Sequence, residues 1–208
     1  MKENMKYLID EYQLRESVLV RMLEIIHNQK SSKAKGIIFY GDSITEFCDL
    51  EKYYPSIPIK YNCGIHGITT TMLLHFIDEG VIRYHPSQVV ILIGTNDLGN
   101  TEMHSPRVIA KNVKEMVEII HGNLPECKIH LVSPLPCDEN LHGYEHKESI
   151  RNNYMLYQIY LEYLKIIDYP YCDFIDVFSL IEEEDLVDGL HINENGYDKV
   201  TKKIGEYL

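Results

Sequence analysis

The sequence predicts an α/β protein built on a parallel sheet. Three observations predict it. Five short apolar runs, rich in Val, Ile and Phe, recur along the chain: "GIIFYG" (36–41), "IKYNCG" (59–64), "QVVILIG" (88–94), "KIHLVSP" (128–134) and "CDFIDVF" (172–178). Helical patterns lie between the runs and after the last of them. Residues fit for chemistry gather where runs stop. Short apolar runs without polar alternation suit strands buried on both faces. Alternation of strand and helix implies a parallel sheet, helices on both faces and right-handed crossovers.

The elements follow in order. Residues 4–27 place Leu8, Tyr12, Leu19, Met22, Leu23 and Ile26 at spacings that suit one or two amphipathic helices, interrupted by Arg15. "NQKSSKAKG" (28–36) is polar and reads as a linker. Helices are expected over 69–83, 106–122, 147–167 and 194–207. The third strand's crossover carries the clearest signals: Ser105-Pro106 is a cap followed by proline at the first helical position, and Gly122 is a stop. A length of 208 residues suits one domain. The expected division is a core over 36–207 and a helical extension over 1–33, which packs on the core or pairs two copies as a homodimer.

Composition narrows the function classes. Net charge is −12, so a polyanion such as nucleic acid, or an anionic membrane, would be repelled. No stretch approaches the ~20 apolar residues of a spanning helix. "MKENMKYLIDEYQLRESV" lacks a signal-peptide core, and cytoplasmic location is the expectation. Five cysteines (Cys48, Cys63, Cys127, Cys137 and Cys172) without a CxxC pair suit reduced thiols.

Parallel sheets place their sites outside the C-terminal ends of the strands. There the first run delivers Gly41-Asp42-Ser43, the second "NCGIHG" (62–67) and the third "GTND" (94–97); "DGLHIN" (188–193) precedes the last helix. Ester hydrolysis needs these residue types. A serine hydroxyl is a poor nucleophile unless a base takes its proton. Histidine is suited to that task, and a carboxylate holds the imidazole in the right tautomer. Ser43, His191 and Asp188 are the candidates, the last two three residues apart on one turn or short loop. Donors must face the developing oxyanion: the Ser43 N–H, the Gly67 N–H and the Asn96 side-chain amide. Glycine at 67 lets backbone approach the substrate with no Cβ in the way.

The nucleophile-elbow pattern GxSxG is absent around Ser43, which argues against an α/β-hydrolase. The four blocks, Gly41-Asp42-Ser43-Ile44, Asn62-Cys63-Gly64-Ile65-His66-Gly67, Gly94-Thr95-Asn96-Asp97 and Asp188-Gly189-Leu190-His191, resemble the GDSL family of esterases and lipases, also called SGNH hydrolases. The resemblance spans 36–207 and is nearest to the branch of intracellular acetylhydrolases and lysophospholipase-type esterases. It implies a flavodoxin-like fold with strand order 2-1-3-4-5, an acyl-enzyme mechanism on a small ester, and no metal or cofactor. It places Gly67 at the oxyanion position. The chain departs from the pattern at Ile68, where related acetylhydrolases carry aspartate, and at His66, where a small residue is common.

Asp42 is expected to order its turn and Asp97 to brace the asparagine loop. His66, Leu135, Leu141 and Tyr144 are candidate pocket residues, the last three on an aperiodic rim after the fourth strand. His142 and His146 could mimic a metal pair, but Gly143 lies between them. "EEED" (182–185) reads as a solvated acidic surface. Two rival functions are an esterase-like fold kept for binding without turnover, and a phospho-acceptor at Asp42.

Overall fold

The computed structural model describes residues 15–99, 103–140, 150–166 and 168–208. Within it five parallel strands form one sheet: β1 Ile37–Gly41, β2 Lys60–Gly64, β3 Gln88–Leu92, β4 Lys128–Val132 and β5 Cys172–Ile175. Their order is β2-β1-β3-β4-β5, as the resemblance implies. Every pairing is parallel. The strands are shorter than the apolar runs: the first two runs begin one residue before their strands, and the last three continue past their strands into the loop above the sheet.

The helices are α1 Glu16–Gln29, α2 Ser43–Glu46, α3 Leu50–Tyr53, α4 Thr70–His75, α5 Ile77–Gly80, α6 Pro106–Asn123, α7 Asn153–Ile166 and α8 Glu194–Gly205. Alternate strand residues feed two cores, since side chains alternate across a strand. Ile38, Tyr40, Val89, Ile91, Ile129 and Leu131 pack with α1, α4, α5, α6 and α7. Ile37, Phe39, Val90, Leu92 and Val132 pack with Ile44 of α2, Leu50 of α3 and Val200 and Ile204 of α8. The three-layer arrangement follows from strands that are apolar on both faces.

Three expectations are corrected. The helix expected over 69–83 is broken into α4, α5 and a 3₁₀ turn at Ile82–Tyr84. Phe76, at φ −97° and ψ 8°, leaves the α-helical path between the first two, and Gly80 presses so close to Tyr40 that a Cβ would lie 2.5 Å from its ring. The apolar face of α1 is also rotated. Val18 and Ile25 are its buried residues, while Leu19 and Leu23 face solvent. Val18, Arg21 and Ile25 share one face at i, i+3 and i+7, and that face turns inward because Arg21 reaches backbone carbonyls of β2. Third, Asp185 of the acidic run is fully buried. It accepts from Lys199 Nζ at 2.6 Å and Asn195 Nδ2 at 2.6 Å, and closes a capping box with Glu182.

Candidate active site

The register aligns the upper ends of three strands. Gly41 pairs with Gly64 on one side and with Leu92 on the other. Ser43 lies two residues past the first end, Gly67 three past the second and Asn96 four past the third. β1 sits between β2 and β3, where the strand order changes direction, which is where open α/β sheets place their ligands.

Ser43 is the first residue of α2. The cap before it is Asp42, whose Oδ1 accepts the Ile44 N–H at 3.0 Å. Aspartate therefore takes the capping duty a serine often performs, and the Ser43 hydroxyl is left for another partner. That partner is His191: Oγ lies 2.9 Å from Nε2. The far ring nitrogen, Nδ1, is 2.7 Å from Asp188 Oδ2. Asp188 Oδ1 accepts the backbone N–H groups of His191 at 2.8 Å and Leu190 at 3.0 Å.

A tight loop presents this pair. Leu186 and Ile192 form an antiparallel bridge, and the Val187 N–H donates to His191 O at 2.7 Å. Gly189 takes φ +83° at the tip. Its carbonyl accepts the Asp138 N–H at 2.8 Å, which joins the tip to the segment after β4. α8 starts just beyond and returns to the serine, its Tyr197 hydroxyl donating to Ile44 O at 3.0 Å.

Burial penalises the Asp188 charge, but the N–H and ring of His191 and the N–H of Leu190 outweigh it and hold the carboxyl below the usual carboxylate range. Asp42 behaves oppositely. Fully buried, its carboxyl is pushed up to about 6, although the Ile44 N–H and the charges of His191 and Arg151 oppose the rise. Its Oδ2 is buried and has no hydrogen-bond partner among the described residues.

Gly67 is exposed at φ +69°, with open space where a Cβ would be. The Ile68 N–H donates to Ile65 O, so residues 65–68 form a turn that needs positive φ at its third position. Asn96 Nδ2 donates to Ile68 O at 3.0 Å, leaving its second N–H for another acceptor. Asp97 is fully buried and accepts the Thr70 N–H at 2.9 Å and the Thr70 hydroxyl, which ties the asparagine loop to the start of α4.

A small cavity beside Ser43 is lined by Asp42, Ile44, Leu92, Thr95, Leu135, Pro136 and Leu190. Leu135, a candidate pocket residue, lines this cavity. His66 does not line this cavity: its ring is held by Glu46 and Ser17 at 2.9 Å each. The exposed Phe47 ring lies between His66 and His191, 6.4 and 5.9 Å from their ring centres. Leu141, Tyr144, His142 and His146 fall outside the described residues. Among the described residues, no group of three or more His, Cys, Asp or Glu could hold a metal ion, and no helix is long and apolar enough to cross a membrane. The five cysteines are unpaired, and burial pushes the thiols of Cys63 and Cys127 up to about 12.

Two polar residues escape a reading by motif. Arg151 is buried and donates from Nε to Thr95 O at 3.0 Å, supporting the loop that carries Asn96. Thr70 anchors Asp97. Each bonds across more than 25 positions, and no local signal marks either.

Comparison with known proteins shows the family and the fold. Residues 39–199 match the GDSL-like Lipase/Acylhydrolase family. The human platelet-activating factor acetylhydrolase IB subunit alpha2 is 26% identical over 182 residues, covering 85% of this chain and 77% of its own. A Streptococcus pneumonia protein, solved under the provisional description of a platelet activating factor, superposes with TM-score 0.82 at 26% identity, with 92% of each chain covered. A GDSL-like lipase from Bacteroides thetaiotaomicron shares the fold at TM-score 0.72 and 23% identity, over 89% of this chain and 96% of its own. With 161 consecutive positions from 39 to 199 inside the family match, the chain belongs to the GDSL-like lipase/acylhydrolase family and is a carboxylic ester hydrolase.

Proposed function

We propose that the chain is a serine esterase that hydrolyses a small carboxylic ester through an acyl-enzyme, using residues 36–207 as the catalytic unit. Ser43 Oγ attacks the ester carbonyl while His191 Nε2 takes its proton. Asp188 holds the ring with its proton on Nδ1 and stabilises the imidazolium that forms. The Ser43 N–H, the Gly67 N–H and the second N–H of Asn96 receive the oxyanion. His191 then protonates the departing alcohol, and water repeats the sequence on the acyl-enzyme.

The observation that carries this reading is the continuous chain from Ser43 Oγ to His191 Nε2 at 2.9 Å and from Nδ1 to Asp188 at 2.7 Å. Two further points support a short acyl group. The cavity beside Ser43 has room for roughly one water-sized group, about 10 Å³. The human relative is named an acetylhydrolase.

The test is an acyl-length series of p-nitrophenyl esters, C2 to C12, with Ser43→Ala as control. The expected result is a kcat/KM that is highest at C2–C4 and falls steeply beyond, with no turnover by Ser43→Ala. A maximum at C8 or longer would overturn the small-acyl assignment. Undiminished turnover by folded Ser43→Ala would overturn the assignment of the nucleophile.

A further inference from the structure

We infer that α1 is part of the catalytic apparatus, with Arg21 and Glu46 as positioning residues that aim the Gly67 N–H. The inference rests on the reading of Gly67 as an oxyanion donor and adds the device that holds it.

α1 meets the turn at 65–68 through Ser17, whose Oγ lies beside the His66 ring. Arg21, on the inward face of α1, donates from Nε to Gly64 O at 3.0 Å and from Nη2 to Asn62 O at 2.7 Å. It thereby grips the last peptides of β2 just before the turn. Glu46 grips the turn itself. One oxygen of its carboxylate accepts the His66 backbone N–H and also lies 2.9 Å from His66 Nδ1. The next peptide along the chain carries the Gly67 N–H. His66 Nε2 is 2.9 Å from Ser17 Oγ, so the imidazole is a strut between Glu46 and α1.

Glu46 closes α2, the helix that Ser43 opens. One side chain therefore joins the body carrying the hydroxyl to the backbone carrying the donor. Asn62 reinforces the joint: its Nδ2 contacts the carbonyls of Thr45, Glu46 and Cys48 at 2.8, 3.0 and 3.2 Å, while its Oδ1 accepts the Gly64 N–H at 3.0 Å. A Cβ on Gly64 would sit 2.3 Å from Glu46 N, so only glycine lets the two segments pack this closely. Arg21 and Glu46 lie 3.8 Å apart with side chains only 17% and 16% exposed. Water therefore replaces either partner poorly, and removing one leaves the other under-solvated. Oxyanion stabilisation is steeply geometric, and α1 supplies the rigidity.

Arg21→Met and Glu46→Ala in the full chain test this, with p-nitrophenyl acetate as probe. Loss of a whole oxyanion donor costs about 10²–10³ in kcat, and a misaimed one is expected to cost about 10–100-fold, with KM within threefold. The acid limb of the pH–rate profile stays at its wild-type position, because the Ser43–His191–Asp188 chain is untouched. Arg21→Lys, still able to donate to one carbonyl, recovers part of the loss. Combined with Asn96→Ala, either variant shows less than additive loss, since both act on one oxyanion. A kcat within threefold of wild type in both folded variants overturns the inference, as does a displaced acid limb. If Arg21→Met does not fold, Glu46→Ala decides by the same criteria. A fluorophosphonate adduct on Ser17 in Ser43→Ala would also overturn it, by showing a reactive serine where a strut is assigned. Turnover by Ser43→Ala would instead mark failure of the site reading itself.

Discussion

Asp188→Asn should damage the enzyme more than Asp188→Ala, although Asn is the closer mimic. Asp188 Oδ1 accepts two backbone N–H groups, at 2.8 and 3.0 Å, and Oδ2 faces His191 Nδ1 at 2.7 Å. An asparagine at 188 has one acceptor and must choose. Turning its oxygen to the backbone keeps two hydrogen bonds; turning it to the ring keeps one and sets the amide N–H₂ against two donors. At about 1 kcal/mol per bond the first orientation is favoured. The amide then donates to Nδ1 and forces the proton onto Nε2, the nitrogen that must accept from Ser43. Asp188→Ala leaves a gap beside a side chain that was 54% exposed, so water can enter and accept the Nδ1 proton. The expected loss in kcat/KM is about 10⁴-fold for Asn and smaller for Ala. Steady-state hydrolysis of p-nitrophenyl acetate at pH 8 measures both. An Asn variant more active than the Ala variant would refute the tautomer argument. Either variant within threefold of wild type would remove Asp188 from the mechanism.

Asn96→Ala should lower kcat by about 10²–10³ with little change in KM, since one donor to the oxyanion is lost; a loss below threefold would exclude that role. Asp42 makes a stability prediction. Its carboxyl is raised to about 6 in the fold, against 3.8 as its ordinary value, so between these pH values the folded state keeps a proton the unfolded state has released. Stability from this group therefore falls as pH rises from about 4 to 6, by up to roughly 3 kcal/mol. Asp42→Asn keeps the cap on Ile44 and removes the charge. In urea melts it should exceed wild type by about 1–3 kcal/mol at pH 8, less any cost of the buried amide, with the gap closing by pH 4. A gap independent of pH would contradict the assigned burial penalty.

Much of the fold was legible because burial on both faces leaves a simple mark. "GIIFYG" and "QVVILIG" have no polar alternation, and both became central strands. What misled was local pattern overridden by distant contact. The helix expected over 69–83 breaks where Phe76 and Gly80 meet Tyr40 on β1. The face of α1 is set by Arg21 reaching the β2 backbone, which hydropathy cannot register. Asp185 reads as surface among glutamates because its partners, Lys199 and Asn195, are more than nine residues away. At the candidate site, the positions of Ser43, Gly67 and Asn96 above the sheet were legible because each follows closely on a strand end. Arg151, Thr70 and Glu46 were not: they act on backbone atoms or on a distant side chain, and such bonds have no period and no fixed spacing.

Labelling with a fluorophosphonate, followed by peptide mapping, tests the central claim most directly, because only a serine activated by its base reacts quickly. The account predicts one adduct, on Ser43, formed with loss of all esterase activity and absent in His191→Ala. An unlabelled Ser43 in folded, active wild-type enzyme, or an adduct that persists without His191, would contradict it.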